Sequence, residues 1–219
     1  MMLNRRAILL RTFDLLYTQF AWAYDAVSWV VSRGRWRSWG EAALPFLVGT
    51  RVLELGHGPG HLLAALENAG WMTTGIDLSP QMGRRAKSRL AKRGFPARLA
   101  RGRGQELPFC DETFDNVVAA FPAPYIIDPG TLRAIRNVLQ PGGRLIIVPE
   151  AELTGRDPLS RLMEWLFRIT GQRSTPTREL PSGPAIWETI FEPAGFAVTI
   201  HQVLQPDSVV TVIVADRIG

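Results

Sequence analysis

Cysteine is nearly absent from this chain of 219 residues: Cys110 stands alone. One thiol closes no internal disulfide, and no C-x-x-C pair or His/Cys cluster has zinc-ligand spacing, so neither a disulfide scaffold nor a metal site is expected. A reducing, cytoplasmic setting fits this usage. Long apolar runs are missing as well. A membrane span needs about 20 mostly apolar residues, and no run approaching that length is free of charge here. The stretch MMLNRRAILLRTFDLLYTQF starts basic, but Arg11 and Asp14 cut its apolar part and no small-residue cleavage site follows, so no signal peptide is expected.

Lysine is scarce too: of the 25 basic residues, all but Lys87 and Lys92 are arginine. Arginine excess often follows genome composition, so a net charge of +5 and a pI of about 10.1 do not by themselves indicate a nucleic-acid partner. The distribution says more. No acidic residue lies between Asp77 and Glu106, where Arg84, Arg85, Lys87, Arg89, Lys92, Arg93, Arg98, Arg101 and Arg103 crowd together. A solvated helix face is the default reading of such a run, and a dock for anionic lipid headgroups or nucleic acid is the alternative. Single-stranded nucleic acid is disfavoured, because Phe95 is the only aromatic residue interleaved there for base stacking.

What is present is enough for a core: hydrophobic residues make up 46% of the chain and charged ones 21%. At roughly 100–200 residues per domain, one domain with an elaboration is expected. From Arg51 onward, short Val/Ile/Leu-rich runs alternate with helical patterns, which predicts βαβ units around a parallel sheet. RVLEL, WMTTGID, ARLAR, FDNVVAAF and GRLIIVPE read as strands, with helices over 61–69, 80–93 and 129–139. Ser79 before Pro80 and Asp128 before Pro129 place a capping side chain ahead of an N1 proline. GFAVTIHQVL and SVVTVIVADR are separated only by Gln205, Pro206 and Asp207, too short for a parallel crossover, so they predict an antiparallel hairpin.

Two segments fall outside the alternation. Residues 1–48 are helical in pattern, with Leu9, Phe13, Leu16, Phe20, Ala23, Val27 and Val31 on one stripe and Leu15, Trp22 and Trp29 on a second. Packing between two layers accounts for two stripes, and so does a helical cap forming one wall of an apolar pocket or a membrane-facing edge. Residues 151–184 hold a predicted helix from Pro158 to Ile169 and a Pro/Ser/Thr/Gly-rich loop, read as an insertion on the substrate side of a domain spanning 49–219.

The chemistry concentrates in RVLELGHGPGHL, residues 51–62, where a strand, a glycine-rich turn and a helix start follow in succession. Gly56, Gly58 and Gly60 let the backbone approach a ligand, and the helix N-terminus beyond offers unpaired amides. Asp77, at the end of the second strand, is placed to accept hydrogen bonds from both hydroxyls of a ribose. A nucleoside-containing ligand follows. A dinucleotide fingerprint from Gly56 would need glycine where His61 stands, and no Lys-Ser or Lys-Thr follows for a Walker loop, so NAD and nucleoside triphosphates are disfavoured.

ELGHGPG (54–60), GIDLSPQM (75–82), ELPFCDETFDNVV (106–118) and LQPGGRLIIV (139–148) together resemble the class I S-adenosylmethionine-dependent methyltransferases. The resemblance covers residues 50–150 and implies an α/β, Rossmann-like, seven-stranded sheet whose last strand is antiparallel, with helices on both faces. It also implies that Glu54, Gly56, His57, Gly58, Gly60, Asp77 and Leu78 surround the cofactor, with Asp77 on the ribose and Phe121 nearby. Members commonly carry an aspartate on the adenine amino group where this chain has Arg103, which cannot accept a hydrogen bond. Gln105, Glu106 or the backbone is left to read the base. His57 stands where a small residue or cysteine is usual.

For the acceptor, FPAPY (121–125) follows the fourth strand, and Phe121 and Tyr125 are candidate pocket walls or parts of a proline-shaped turn. Tyr24 and Asp25 resemble the Tyr-Asp pair of small-molecule and quinone methyltransferases, where the tyrosine helps close a lid; with Trp22 it is the cap's candidate contact. His57, Tyr24 and Glu150 are the candidate bases, each with a packing or solvent-facing alternative. The expected activity is methyl transfer to a small, lipophilic acceptor by in-line displacement. A phospholipid or quinone methyltransferase at the membrane surface, and a protein that binds S-adenosylmethionine without turnover, are the alternatives. The oligomeric state is not legible.

Overall fold

A computed structural model of the chain describes residues 35–154 and 184–219. Its elements, numbered through those residues, are α1 (Trp36–Glu41), β1 (Arg51–Leu55), α2 (His61–Asn68), β2 (Met72–Asp77), α3 (Pro80–Ala91), β3 (Leu99–Arg101), β4 (Phe114–Ala120), α4 (Pro129–Val138), β5 (Leu139–Val148), β6 (Ala151–Leu153), α5 (Pro184–Phe191), β7 (Phe196–Gln205) and β8 (Ser208–Arg217). The caps form as the dipeptides predict. Ser79 Oγ accepts from the Met82 N–H at 3.3 Å and Asp128 Oδ1 from the Thr131 N–H at 3.1 Å, each worth about 1 kcal/mol.

The sheet runs β3-β2-β1-β4-β5-β8, with β7 on the far edge of β8. β1 to β5 pair in parallel, and β8 is antiparallel to β5, β6 and β7. Because β7 occupies one whole edge of β8, β5 and β6 share the other, at Ile213–Asp216 and Ser208–Val210 respectively. β6 therefore continues β5 past a break, and the eight strands fill seven positions. The reversal at β1, where β2 lies on one side and β4 on the other, opens a crevice at the carboxyl ends of the strands.

Alternation within each strand divides the core into two layers. Leu53, Leu55, Val117, Ala119, Leu145, Ile147, Ile213 and Ala215 meet Leu132 and Ile135 of α4 and Trp187 and Phe191 of α5. Their neighbours Val52, Val118, Ile146, Val148, Val212 and Val214 meet Trp39 of α1 and Leu62 and Leu66 of α2. α3 packs beside α2 through Leu63, Ala64 and Leu90. Gly60 sets that approach. It takes φ +76°, and a Cβ there would lie 2.8 Å from Ala86 Cβ on α3.

Three details depart from expectation. β5 begins at Leu139, not at Gly143, because Leu139 already pairs with Phe114 ahead of a bulge. β6 and α5 are additional elements. α5 carries a readable signal in Ile186, Trp187, Ile190 and Phe191 after the helix-opening Pro184. The helix expected over 158–169 and most of the expected N-terminal cap lie outside the described residues.

Candidate active site

The glycine turn between β1 and α2 is held from β2. Asp77 accepts the Gly58 N–H at 2.9 Å on Oδ2 and the Ser79 N–H at 2.8 Å on Oδ1. Gly56 and Gly58 take φ of +66° and +51°, in the left-handed region where a Cβ is strained. Gly56 is exposed, and Leu78, beside Asp77, leaves 55% of its surface open, so an apolar side chain and a carboxylate flank the mouth of the turn.

Glu54 and His57 are beneath this surface. Glu54 is 4% exposed and accepts the Leu63 N–H in the first turn of α2, while its Oε2 has no partner among the described residues. Burial pushes its carboxyl well above the usual range; the Leu63 bond opposes this and the charge of Asp77 adds to it. His57 is 3% exposed, with Nδ1 2.7 Å from the Gly58 carbonyl. Burial pushes the imidazole below its ordinary 6.5, against the raising effects of Asp77 and of the backbone bonds. His57, one of the three candidate bases, therefore lies sealed behind the turn.

Across the crevice, Arg103, Gln105 and Glu106 are exposed. Tyr125, half-buried in the short 3-10 turn Pro124–Ile127, spans from this loop to the glycine turn. A Cβ at Gly56 would lie 3.0 Å from its hydroxyl, and one at Gly104 would lie 3.1 Å from its ring. The structure thus sets Tyr125 against the turn that Asp77 holds.

At the carboxyl end of β4, Phe121 takes φ +50°, strained for a side chain of this size. Its ring stacks on Trp36, with centroids 4.1 Å apart and planes at 29°, and Trp39 lies 6.2 Å away. α1 is fastened there by the β7–β8 turn: Trp39 Nε1 donates to Ser208 Oγ at 3.0 Å, Gln205 Nε2 to the Ser38 carbonyl at 2.8 Å, and Arg35 pairs with Asp207 at 2.6 Å. Sequence alone puts Trp36 in the cap without its partner, since Phe121 lies far along the chain. Glu150 is exposed past β5, its carbonyl accepting the Thr211 N–H. Trp22 and Tyr24 lie outside the described residues.

Part of the basic run braces this site. Arg89 donates to the Pro59 carbonyl of the glycine turn, Arg101 Nε to the Leu78 carbonyl at 3.0 Å, and Arg98 pairs with Glu67 at 3.2 Å. Arg84, Lys87, Lys92 and Arg93 are exposed.

A sheet of this order, with a glycine turn after β1 and a carboxylate closing β2, defines a Rossmann-like enzyme for a nucleoside-containing cofactor. A family profile described as a methyltransferase domain matches residues 52–143. The demethylmenaquinone methyltransferase of Symbiobacterium thermophilum is 28% identical over 221 residues, covering 86% of each chain. The ubiquinone/menaquinone biosynthesis C-methyltransferase UbiE of Geotalea daltonii is 29% identical, over 61% of this chain and 60% of that protein. A crystal structure of an S-adenosylmethionine-dependent methyltransferase from Thermotoga maritima shares the fold, with a TM-score of 0.66 at 19% identity over 92% of this chain and 98% of that one. The chain carries a methyltransferase domain and is an S-adenosylmethionine-dependent methyltransferase. S-adenosylmethionine is its cofactor and methyl transfer to a small acceptor its activity. No helix among the described residues is long and apolar enough to cross a membrane.

Proposed function

We propose that the acceptor is a lipophilic, planar ring of quinone type, methylated beside the Trp36–Phe121 stack. That stack carries the reading. It presents aromatic surface at the carboxyl end of β4, where ligands of open α/β sheets bind, and strained Phe121 is held there by its N–H bond to the Val148 carbonyl at 2.7 Å. The names of the two relatives, both quinone-pathway methyltransferases, agree with it. In this reading residues 1–48 form the cap, 49–219 the methyltransferase domain and 151–184 an insertion on the acceptor side, with Trp22, Tyr24 and Tyr125 contributing to the pocket.

The residues present suit the cofactor. Each Asp77 oxygen accepts one backbone N–H, and a carboxylate has about four acceptor positions, so capacity remains for both ribose hydroxyls. Leu78 offers its open apolar surface to the adenine, and Gln105, Glu106 or nearby backbone reads the base edge. Gly56, Gly58 and Gly60 keep side chains out of the turn, while Glu54 and His57 act from beneath it. When bound, S-adenosylmethionine supplies an electrophilic methyl group. The chain's part is to orient the acceptor, exclude water with the aromatic stack, and hold the two reactants in line. A reduced quinone ring activates its own carbon through its hydroxyls; as the new carbon–methyl bond forms, S-adenosylhomocysteine leaves and the ring carbon gives up its proton, for which Tyr24 and Glu150 are the candidate acceptors.

The experiment is a panel of acceptors incubated with S-adenosylmethionine, read by formation of S-adenosylhomocysteine. Turnover with demethylated hydroquinones and none with polar amines is the expected result. Turnover confined to polar amines overturns the acceptor class, and tight cofactor binding without product across the panel supports the non-catalytic alternative. The exposed cations of α3, Arg84 and Lys87, with Lys92 and Arg93 just beyond, favour a second element: contact with an anionic membrane holding the lipophilic acceptor. Binding to anionic vesicles that falls with salt supports that contact, and no binding at low salt overturns it.

A further inference from the structure

We propose that His57 is a positioning residue of the cofactor turn: its buried imidazole, seated where Gly75 has no side chain, holds the Gly58 carbonyl while Asp77 holds the same residue's N–H. The space is specific. A Cβ at Gly75 would lie 2.8 Å from His57 Cδ2, 2.8 Å from Leu63 Cδ1 and 3.1 Å from Leu99 Cδ2, so three side chains from the turn, α2 and β3 converge on the gap that one glycine of β2 leaves. Gly58, at φ +51°, is then gripped at both polar ends, at 2.7 Å from His57 Nδ1 and at 2.9 Å from Asp77. Two hydrogen bonds through one residue fix a glycine whose backbone would otherwise rotate.

The partner settles the tautomer. A carbonyl only accepts, so Nδ1 carries the hydrogen and Nε2 is left with a lone pair, fully buried and without a partner among the described residues. Protonation therefore places a cation in a dry site with no acceptor at Nε2. The charged groups nearby are Asp77 at the end of β2, Glu54 on β1 with its own carboxyl buried, and Arg89 of α3, which is bonded to the Pro59 carbonyl of the same turn; α2 and β3 contribute Leu63 and Leu99. The closed turn thus requires neutral His57, and burial pushes protonation of the ring below the ordinary 6.5. Cofactor affinity is expected to fall as pH drops through that lowered value, by at most about tenfold per pH unit for one proton.

The inference rests on the assignment of this turn to the cofactor, which wild-type binding tests by itself. S-adenosylhomocysteine affinity is measured by calorimetry from about pH 5 to about pH 8 in the wild type, His57→Asn and His57→Ala. Asparagine can place an amide N–H where Nδ1–H stands and does not titrate. The expected results are a wild-type affinity that declines in acid, an Asn variant that keeps most of the neutral-pH affinity and lacks the decline, and an Ala variant about tenfold weaker throughout, on the scale of one hydrogen bond. An acid decline that persists unchanged in His57→Asn, or wild-type affinity in His57→Ala, overturns the proposal. If the Ala variant does not fold, ring-nitrogen NMR of the wild type decides: a proton on Nδ1 supports the clamp, and a proton on Nε2 overturns it.

Discussion

Trp36 and Phe121 lie 85 positions apart in sequence and stack with ring centroids 4.1 Å apart. The contact joins the segment that precedes the sheet to the end of its central strand, at the mouth of the crevice. It also explains why a strained phenylalanine stands at φ +50°, since that conformation turns the chain away from β4 while Trp36 covers the ring.

Phe121→Gly relieves backbone strain of about 1 kcal/mol, but it loses the ring's burial against the core as well as the stack, so the loss is the larger. Its melting temperature is expected to fall below that of the wild type, and kcat/KM with the lipophilic acceptor falls with it. Phe121→Ala keeps the strain and loses the ring, so it is expected to be less stable than Phe121→Gly by about 1 kcal/mol. Thermal melts rank the three proteins. Alanine above glycine would show that the φ of this residue is not strained.

Asp77 and Arg103 predict opposite outcomes at the cofactor. Asp77→Ala removes the proposed ribose acceptor and releases the Gly58 N–H, and a charged hydrogen bond is worth about 1.5–3 kcal/mol, so calorimetry is expected to show affinity for S-adenosylhomocysteine down at least tenfold. Arg103 is exposed, and its replacement by alanine is expected to change affinity by less than about threefold. A large loss in Arg103→Ala would show that the guanidinium itself contacts the cofactor.

Glu54 sets a pH dependence of stability with a worked sign. Its folded-state carboxyl titrates above the unfolded value of 4.5, so the folded protein binds the extra proton and stability declines as pH rises above that value. Glu54→Gln keeps an acceptor for the Leu63 N–H and carries no charge. The melting temperature of the variant minus that of the wild type is expected to grow between about pH 5 and about pH 8. A difference that is constant across this range would remove burial of the charge as the cause.

Much of the fold is legible in the sequence, because it is written over short spans. RVLEL forms β1 residue for residue, the two Ser/Asp-Pro caps close their helices, and the short gap before Ser208 compels a hairpin; each depends on neighbours within a few positions. The glycine turn and Asp77 are legible for the same reason, as both close strands whose alternation is local. The environment of His57 is not. Its meaning depends on Gly75, Leu63 and Leu99, which meet only once β2 and β3 pair and α2 packs beside them. In the same way Arg89 and Arg101 read as solvated charge until the fold brings the Pro59 and Leu78 carbonyls to them. Trp39 and Ser208, 169 positions apart, bond only because antiparallel β8 starts at the end of the sheet where the parallel strands finish. Periodicity and capping are properties of a segment and are determined by the sequence alone; burial, partner and protonation state are properties of a place, and only the tertiary structure decides them.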